Sequence, residues 1–189
     1  MEAATATATA VIEIQPTESG HQVQLQTVDA ITLPKVRNLN SVLFPVHYSG
    51  AFYRSLLLPG QFAQLAFYNK LCVGTIACRK QPLGFAEAPV SAATNYHAPE
   101  PKYHEVYMMT LGVLAPYRRL GIGRLLLRNA IEFASKDPTV RRVILHVQID
   151  NDDALRFYHK SGFTTMRLVQ RYYKNIEPPH AYLLEYRIR

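Results

Sequence analysis

Residues 105–123 read EVYMMTLGVLAPYRRLGIG, and the pattern around this stretch decides the fold. Residues 105–114 are almost continuously apolar, which is typical of a strand covered on both faces. Residues 143–149, VILHVQI, form a second apolar run. Between the two runs lies a helix pattern that ends before Pro138 and has one apolar face, made of Ile122, Leu125, Leu126, Ala130, Phe133 and Ala134. Two such strands joined by a helix predict a parallel pair with a right-handed crossover.

The chain before this stretch predicts a strand, two helices and a hairpin. Residues 23–28, VQLQTV, alternate apolar and polar side chains as a half-buried strand does. Leucines and valines recur at helical spacing from Leu33 until Pro45, and residues 52–57, FYRSLL, predict a short second helix. Two apolar runs at 64–68 and 71–78 are separated only by Asn69 and Lys70, which predicts a hairpin.

The chain after the crossover predicts one more helix and two closing strands. Asn151 can cap a helix that runs through Lys160, and Gly162 can supply the left-handed residue that ends it. Residues 163–175 and 181–188 have the pattern of strands. The predicted class is therefore α/β, with a mixed central sheet and the order strand, two helices, three strands, helix, strand, helix, two strands.

Composition predicts one soluble intracellular domain. The chain has 189 residues, 48% hydrophobic and 19% charged, which is enough for one sizeable core. It has no run of 18 apolar residues, and its first residues lack the basic and apolar parts of a secretory signal. Cys72 and Cys78 belong to one predicted strand and would lie roughly 20 Å apart, beyond disulfide reach, as expected in the cytosol.

Two segments are expected to be disordered. Residues 1–20 begin as an Ala/Thr-rich repeat and then become polar, which predicts a tail before a folded domain at 21–189. Residues from about 80 to 103 contain four prolines and many small side chains. They predict a flexible insertion, and a functional lid is the alternative.

The net charge of +7 leaves two interpretations open. Either the basic residues form an ordinary solvated surface, or they attract an anionic ligand or machinery that contains nucleic acid. The sequence contains no RNA-binding motif with interleaved aromatic residues, so direct nucleic-acid binding is not predicted.

Residues 118–123, RRLGIG, have the pattern of a phosphate-binding turn at the start of a helix. Glycines let the backbone approach a ligand, the first helical N–H groups point at it, and nearby arginines add charged hydrogen bonds. The spacing differs from that of the dinucleotide fingerprint and of the P-loop. An ordinary helix entry with glycines is the alternative.

This turn, together with the crossover and the later NDDALRFYHKSGF at 151–163, resembles the GCN5-related N-acetyltransferase (GNAT) superfamily. The resemblance implies the GNAT fold, in which the parallel strands splay, and acetyl-CoA as cofactor, with its pyrophosphate on the turn and no metal. The cofactor-binding residues that it implies are Leu111, Gly112, Val113, Arg118, Arg119, Leu120, Gly121, Ile122, Gly123, Arg124, Asn151, Ala154 and Tyr158.

Four segments resemble one branch of that superfamily, the NatE-type or separation-anxiety N-terminal acetyltransferases. They are FPVHY at 44–48, YMMTLGVLAPYRRLGIG at 107–123, ILHVQIDNDDAL at 144–155 and RYYKNIEP at 171–178. The resemblance covers roughly residues 22–189, and the Ala/Thr tail and the 80–103 insertion depart from it. It implies docking on the auxiliary and catalytic subunits of a NatA-type complex near the ribosome, in the cytoplasm, with the nucleus left open.

The chemistry needs a proton acceptor, an oxyanion donor and a donor for the leaving thiolate. His146 has a reference pKa of about 6.5, suited to accept a proton from an α-amine. By resemblance, Tyr107 works with His146 through an ordered water and Tyr158 protonates the thiolate. A backbone N–H near residues 111–113 would stabilise the oxyanion. Packed core roles are the alternatives for the three side chains.

By resemblance, an apolar pocket selects proteins that begin with methionine followed by a hydrophobic residue. Burial of one such side chain contributes roughly 1.5–3 kcal/mol. The residues implied are Phe44, Pro45, Val46, Tyr48, Met109, Tyr172, Tyr173 and Ile176. Ordinary helix-stop and strand-packing roles are the alternatives for these segments.

Two other functions stay open. A lysine ε-amine is a possible acceptor, but its pKa of about 10.4 requires a stronger base than the sequence displays. The chain could also be a non-catalytic subunit that binds acetyl-CoA or a partner.

Overall fold

The computed structural model describes residues 12–85 and 101–188. Its strands are β1 (Ile12–Pro16), β2 (Gln22–Thr27), β3 (Gln61–Tyr68), β4 (Leu71–Pro82), β5 (His104–Val113), β6 (Val140–Gln148), β7 (Thr164–Val169) and β8 (Ala181–Arg187). Its helices are α1 (Leu33–Leu43), α2 (Gly50–Ser55), α3 (Ile122–Lys136) and α4 (Asp152–Lys160), and a short 3-10 turn at Ala115–Tyr117 precedes α3. This order confirms the predicted succession, with one additional strand at the start.

The strands of the described residues form a mixed sheet in the order β1-β2-β3-β4-β5-β6-β8-β7. β5 and β6 are parallel, as predicted, with His104 opposite Val140 and Tyr107 opposite Ile144. β8 is antiparallel to both β6 and β7. The register of the parallel pair ends at Tyr107 and Ile144, so the ladder stops short of the ends of both strands.

Local sequence explains how the elements begin and end. Asn69 (φ 49°) and Lys70 (φ 66°) both adopt left-handed backbone, as the two-residue turn of the β3–β4 hairpin requires. The Asn151 side chain accepts a hydrogen bond from Ala154 N–H and caps α4, which ends before Gly162 (φ 91°). β7 ends at Val169, so the predicted strand at 163–175 is too long.

The expectation that residues 1–20 are a disordered tail is wrong from Ile12 onward. β1 pairs antiparallel with β2, with Ile12 opposite Gln26 and Pro16 opposite Gln22. The ladder satisfies backbone groups whatever the side chains are, which explains why a strand forms although Ile12 and Ile14 are exposed. The first eleven residues of the predicted tail lie outside the described part of the chain.

The predicted insertion at 80–103 is also shorter than expected. β4 runs to Pro82, and Leu83 N–H donates to the Tyr103 carbonyl. The remaining residues of that prediction, 86–100, lie outside the described ranges.

The chain divides into two compact units. The first comprises Met1–Cys78 with Thr110–Ala130, and its described core includes Val23, Leu25, Leu65, Ile76 and Leu126. The second comprises Arg79–Met109 with Ile131–Arg189, and its described core includes Val143, Ile144, Phe163, Leu183 and Leu184. β4 and β5 contribute residues to both units.

Both cysteines are free thiols, as predicted. Cys78 is buried and Cys72 half-buried, and burial raises the pKa of Cys72 to about 11, which keeps it protonated. Within residues 12–85 and 101–188, no helix is long and apolar enough to span a membrane.

Candidate active site

The turn at residues 118–123 lies in the first unit, just before α3. Arg119 (φ 66°) and Gly121 (φ 81°) both have left-handed backbone. Backbone that alternates in hand brings successive N–H groups to one side and forms an anion-binding concavity. The first N–H groups of α3 lack helical acceptors, and the helix dipole adds positive potential there. The turn therefore fits a phosphate group.

Two arginines of this region have partners in the first unit. Arg118 Nε donates to the Val113 carbonyl at 3.0 Å, which ties the turn to the end of β5. Arg124 forms an ion pair with Glu18, a residue between β1 and β2. The first turn of α3 thus already binds an anionic group of the chain itself through Arg124, which supports the fit of this region to an anionic ligand.

The strand end that was predicted to hold the cofactor packs closely on the end of α1. A Cβ added to Gly112 would lie 2.9 Å from Leu43 Cδ1 and 3.0 Å from Phe44 Cζ. Leu111 and Val113 on either side are half-buried. A side chain at this position would have to displace the ends of the Leu43 and Phe44 side chains, so glycine permits the close approach between β5 and the segment that carries Phe44.

The segment after α1 presents an aromatic cluster beside a cavity. Tyr48 stacks on Phe52 with 4.4 Å between ring centroids, and Phe44 meets Tyr48 edge-on at 6.2 Å. Pro45 and Val46 are exposed between them. The cavity has a volume of about 290 Å³ and is lined by Arg37, Ser41, Val46, His47, Tyr48, Gly50 and Tyr53.

The second unit brings Tyr107, His146 and Tyr172 together. Tyr107 Oη lies 3.1 Å from His146 Nδ1 and 2.7 Å from Tyr172 Oη. The Tyr172 ring stacks on the imidazole at 4.1 Å with an interplanar angle of 13°. The contact between Tyr107 and His146 is direct, and that the pair works through an ordered water stays a prediction.

Both members of the predicted catalytic pair are held uncharged. Burial, followed by the positive charge of Arg167, lowers the pKa of His146 to about 4. Burial, followed by the neighbouring Tyr172, raises the pKa of Tyr107 well above its usual value. At neutral pH the pair is therefore a neutral imidazole and a neutral phenol. In this state His146 Nδ1 can accept a hydrogen bond from the Tyr107 hydroxyl.

Tyr158 is buried in α4, where its hydroxyl donates to Met108 Sδ at 3.7 Å. A thioether is a weak hydrogen-bond acceptor. Asn151 and Ala154, which were predicted to bind the cofactor, form the N-terminal cap of the same helix.

The remaining predicted substrate residues also belong to the second unit. Met109 is half-buried on β5, and the others lie in the β7–β8 connection. Tyr172 and Tyr173 meet at right angles, 4.8 Å apart, and Ile176 is half-buried. Within this unit Tyr172 contacts the predicted catalytic pair, Tyr107 and His146, and the sequence pattern did not predict that contact.

Sequence reasoning missed three groups near these sites. The Arg79 guanidinium lies over the Tyr107 ring, 5.7 Å from its centroid. Arg167 on β7 and His146 on β6 share Leu183 of β8 as register partner. The third is the connection between β1 and β2, and its signal was the turn-forming PTESG at 16–20.

Comparison with known proteins agrees with the geometry. The family described as Acetyltransferase (GNAT) family matches residues 33–163. N-alpha-acetyltransferase 50 of Danio rerio is 38% identical over 168 residues, which are 89% of this chain and 90% of the relative. The san protein of Drosophila melanogaster is 37% identical over 167 residues, 88% of this chain and 82% of the relative.

A solved structure supports the same relationship. Arabidopsis thaliana Naa50, in complex with the bisubstrate analogue CoA-Ac-MVNAL, is 40% identical with a TM-score of 0.73. The similarity covers 87% of this chain and 97% of that protein. From the site geometry and these similarities together, we conclude that the chain belongs to the Acetyltransferase (GNAT) family, in the branch of the N-alpha-acetyltransferase 50 proteins.

Proposed function

We propose that this protein transfers an acetyl group from acetyl-CoA to the α-amino group of proteins that begin with methionine followed by a hydrophobic residue. The observation that carries the proposal is the direct chain of contacts from Tyr172 through Tyr107 to His146 Nδ1. The similarity of this chain to N-alpha-acetyltransferase 50 of Danio rerio and to the Arabidopsis protein bound to CoA-Ac-MVNAL supports the same proposal.

The proton of the amine leaves along this chain. Roughly a tenth of α-amines are free at pH 7, given their pKa of about 7.7–8.0, so the attacking form is readily available. As the new C–N bond forms, the nitrogen becomes acidic and its N–H bond breaks. Tyr107 Oη takes that proton and passes its own to His146 Nδ1. A neutral imidazole suffices, because the proton comes from an acidified nitrogen.

Acetyl-CoA supplies an activated thioester when it is bound. The turn at 118–123 and the α3 N-terminus would hold its diphosphate, with Arg119 and Arg124 adding charge. The backbone of Leu111–Val113 would donate to the thioester oxygen, and Tyr158 would donate to the departing sulfur.

Each unit offers apolar and aromatic groups that are suited to bind the substrate's first side chain. Phe44, Pro45, Val46 and Tyr48 supply them in the first unit; Met109, Tyr172, Tyr173 and Ile176 supply them in the second. A methionine side chain contributes roughly 1.5–3 kcal/mol when it is buried. An acidic second residue would lose this contribution and remain desolvated.

Acetylation of lysine is less favoured as a main activity. Freeing the amine of lysine, with its pKa of about 10.4, costs several kcal/mol more than freeing an α-amine at pH 7. His146, with its pKa lowered to about 4, is too weak a base to offset that cost. A purely structural subunit would not need three aligned proton-transfer groups.

We further propose that the protein works in the cytoplasm with a larger NatA-type complex near the ribosome. The net charge of +7 suits a site near ribosomal RNA. Val42 on α1 and Leu57 and Leu58 after α2 are exposed apolar side chains available to a protein partner.

A peptide panel with acetyl-CoA tests the activity. Peptides that begin Met-Leu, Met-Glu and Ser-Glu, and one with only an internal lysine, are incubated with the protein, and product masses are measured. We expect Met-Leu to react fastest, and His146→Ala to lower its turnover by about 10² with little change in acetyl-CoA affinity. Preferred acetylation of the internal lysine, or undiminished turnover in the variant, would contradict the proposal.

A further inference from the structure

The connection between β1 and β2, residues Thr17–His21, packs directly on the phosphate turn within the first unit. Ser19 Oγ donates to the Leu120 carbonyl at 3.0 Å. Thr17 is 6% exposed, and a Cβ added to Gly121 would lie only 2.9 Å from Thr17 Cβ. The β1–β2 connection therefore forms one wall of the turn.

This connection is ordered by its own hydrogen bonds. Thr17 N–H donates to the His21 carbonyl at 2.8 Å, and Gly20 N–H donates to the Thr17 carbonyl at 2.9 Å. His21 N–H donates to Thr17 Oγ1 at 3.1 Å. On β1, Gln15 Oε1 accepts from Arg128 Nη2 on α3 at 3.3 Å. The position of Glu18 is thus set by folded backbone on both sides.

Glu18 brings a negative charge to a position that suits an anionic ligand. Its carboxylate pairs with Arg124, in the first turn of α3, where the helix dipole also favours anions. Both side chains are about half exposed, at 59% and 45%, so the pair is weak enough to exchange. A carboxylate and a diphosphate cannot both approach Arg124 closely without repulsion.

We propose that the β1–β2 connection sets the affinity for coenzyme A, with Ser19 bracing the phosphate turn and Glu18 acting as a built-in anion that competes for Arg124. The inference rests on the proposed function, because it requires that the turn bind the coenzyme diphosphate. It assigns opposite effects to two adjacent residues.

The test measures acetyl-CoA binding by isothermal titration calorimetry with the full chain at low salt. Glu18→Gln removes the competing charge and should bind about three to five times more tightly than the wild type. Ser19→Ala releases the Leu120 carbonyl and should bind about three times more weakly. High salt should shrink the effect of Glu18→Gln, since the competition is between exposed charges.

Glu13→Gln is the matched control. It removes the same charge from the same hairpin, but its partner is Gln15 and not an arginine of the phosphate site. We expect wild-type affinity from this variant. Thermal melting without ligand checks that all variants are folded.

The outcomes separate the inference from the proposed function. If the wild type binds acetyl-CoA and Glu18→Gln binds with equal or lower affinity, or if Glu13→Gln tightens binding equally, the role of Glu18 is overturned and the proposed function stands. Wild-type affinity in Ser19→Ala overturns the bracing role. If the folded wild type binds no acetyl-CoA, the proposed function itself fails.

Discussion

At the scale of single residues, burial decides what His146 can do. An imidazole in water has a pKa of about 6.5 and is partly charged at neutral pH. In this protein burial and Arg167 lower that pKa to about 4, so the ring stays neutral and its Nδ1 can accept from Tyr107. The same burial makes protonation of this ring less favourable in the folded state than in the unfolded state.

The lowered pKa of His146 in the folded state predicts that the stability of the protein depends on pH. Between pH 6.5 and 4 the unfolded chain binds a proton on residue 146 that the folded chain does not, so stability falls as the pH falls through this range. We expect His146 to contribute about 2 kcal/mol to the stability lost between pH 7 and pH 5. Urea unfolding at the two pH values measures the loss.

His146→Gln is the comparison, because glutamine does not titrate. The variant should lose about 2 kcal/mol less than the wild type between the same two pH values, whatever its stability at pH 7. An equal loss in both proteins would show that His146 is not held neutral by folding.

At the scale of elements, the phosphate turn and the β1–β2 connection require glycine at one position. Gly121 has left-handed backbone (φ 81°) and is approached closely by Thr17. Gly60, in the turn before β3, has nearly the same backbone (φ 78°), but nothing lies within 4 Å of a Cβ placed there. The two glycines therefore have the same left-handed backbone, and they differ in whether another residue packs where a side chain would lie.

Substituting alanine at both positions separates these two demands. Gly60→Ala should cost about 1 kcal/mol, the strain of a side chain in left-handed backbone. Gly121→Ala should cost about 2–3 kcal/mol, because the new methyl group also displaces Thr17, and it should weaken acetyl-CoA binding. Chemical denaturation gives the free energies. Equal losses in the free energy of unfolding for the two variants would mean that Thr17 moves aside at no measurable energetic cost.

At the scale of the whole molecule, a buried ionic network joins the strands of the second unit. Glu105 on β5 is fully buried and accepts from Arg142 Nε at 2.9 Å and Nη2 at 2.7 Å. It also accepts from Gln81 Nε2 on β4 and from Gly84 N–H. A buried carboxylate is tolerated when it is hydrogen-bonded in this way.

Loss of the arginine should therefore be costly. Arg142→Leu leaves Glu105 buried without its cation and should lower stability by about 3–5 kcal/mol, or the melting temperature by about 10 °C. Arg156→Leu is the control, since Arg156 pairs with Asp153 and both side chains are exposed, at 63% and 91%, so that this pair should contribute less than about 1 kcal/mol. Similar melting shifts in the two variants would contradict a structural role for the buried pair.

Much of the fold could be predicted from local pattern. The apolar runs of β5 and β6, the one-sided helix α3 and the two-residue turn at Asn69 and Lys70 are each encoded by neighbouring residues. β1 was missed because an exposed edge strand has no apolar pattern that separates it from a polar tail, and its order comes from a ladder with β2. The β1–β2 connection was missed with it.

By itself the sequence determined the family and the parallel crossover, and it singled out the turn at 118–123, Tyr107 and His146 as candidates, because these patterns depend on residue types at short spacing. Only the tertiary structure decided that Tyr107 touches His146 directly, that Tyr172 joins them and that Glu18 reaches Arg124. The physical reason is that these contacts join residues 39, 65 and 106 positions apart. Strand pairing and packing set such contacts, and no local pattern encodes them.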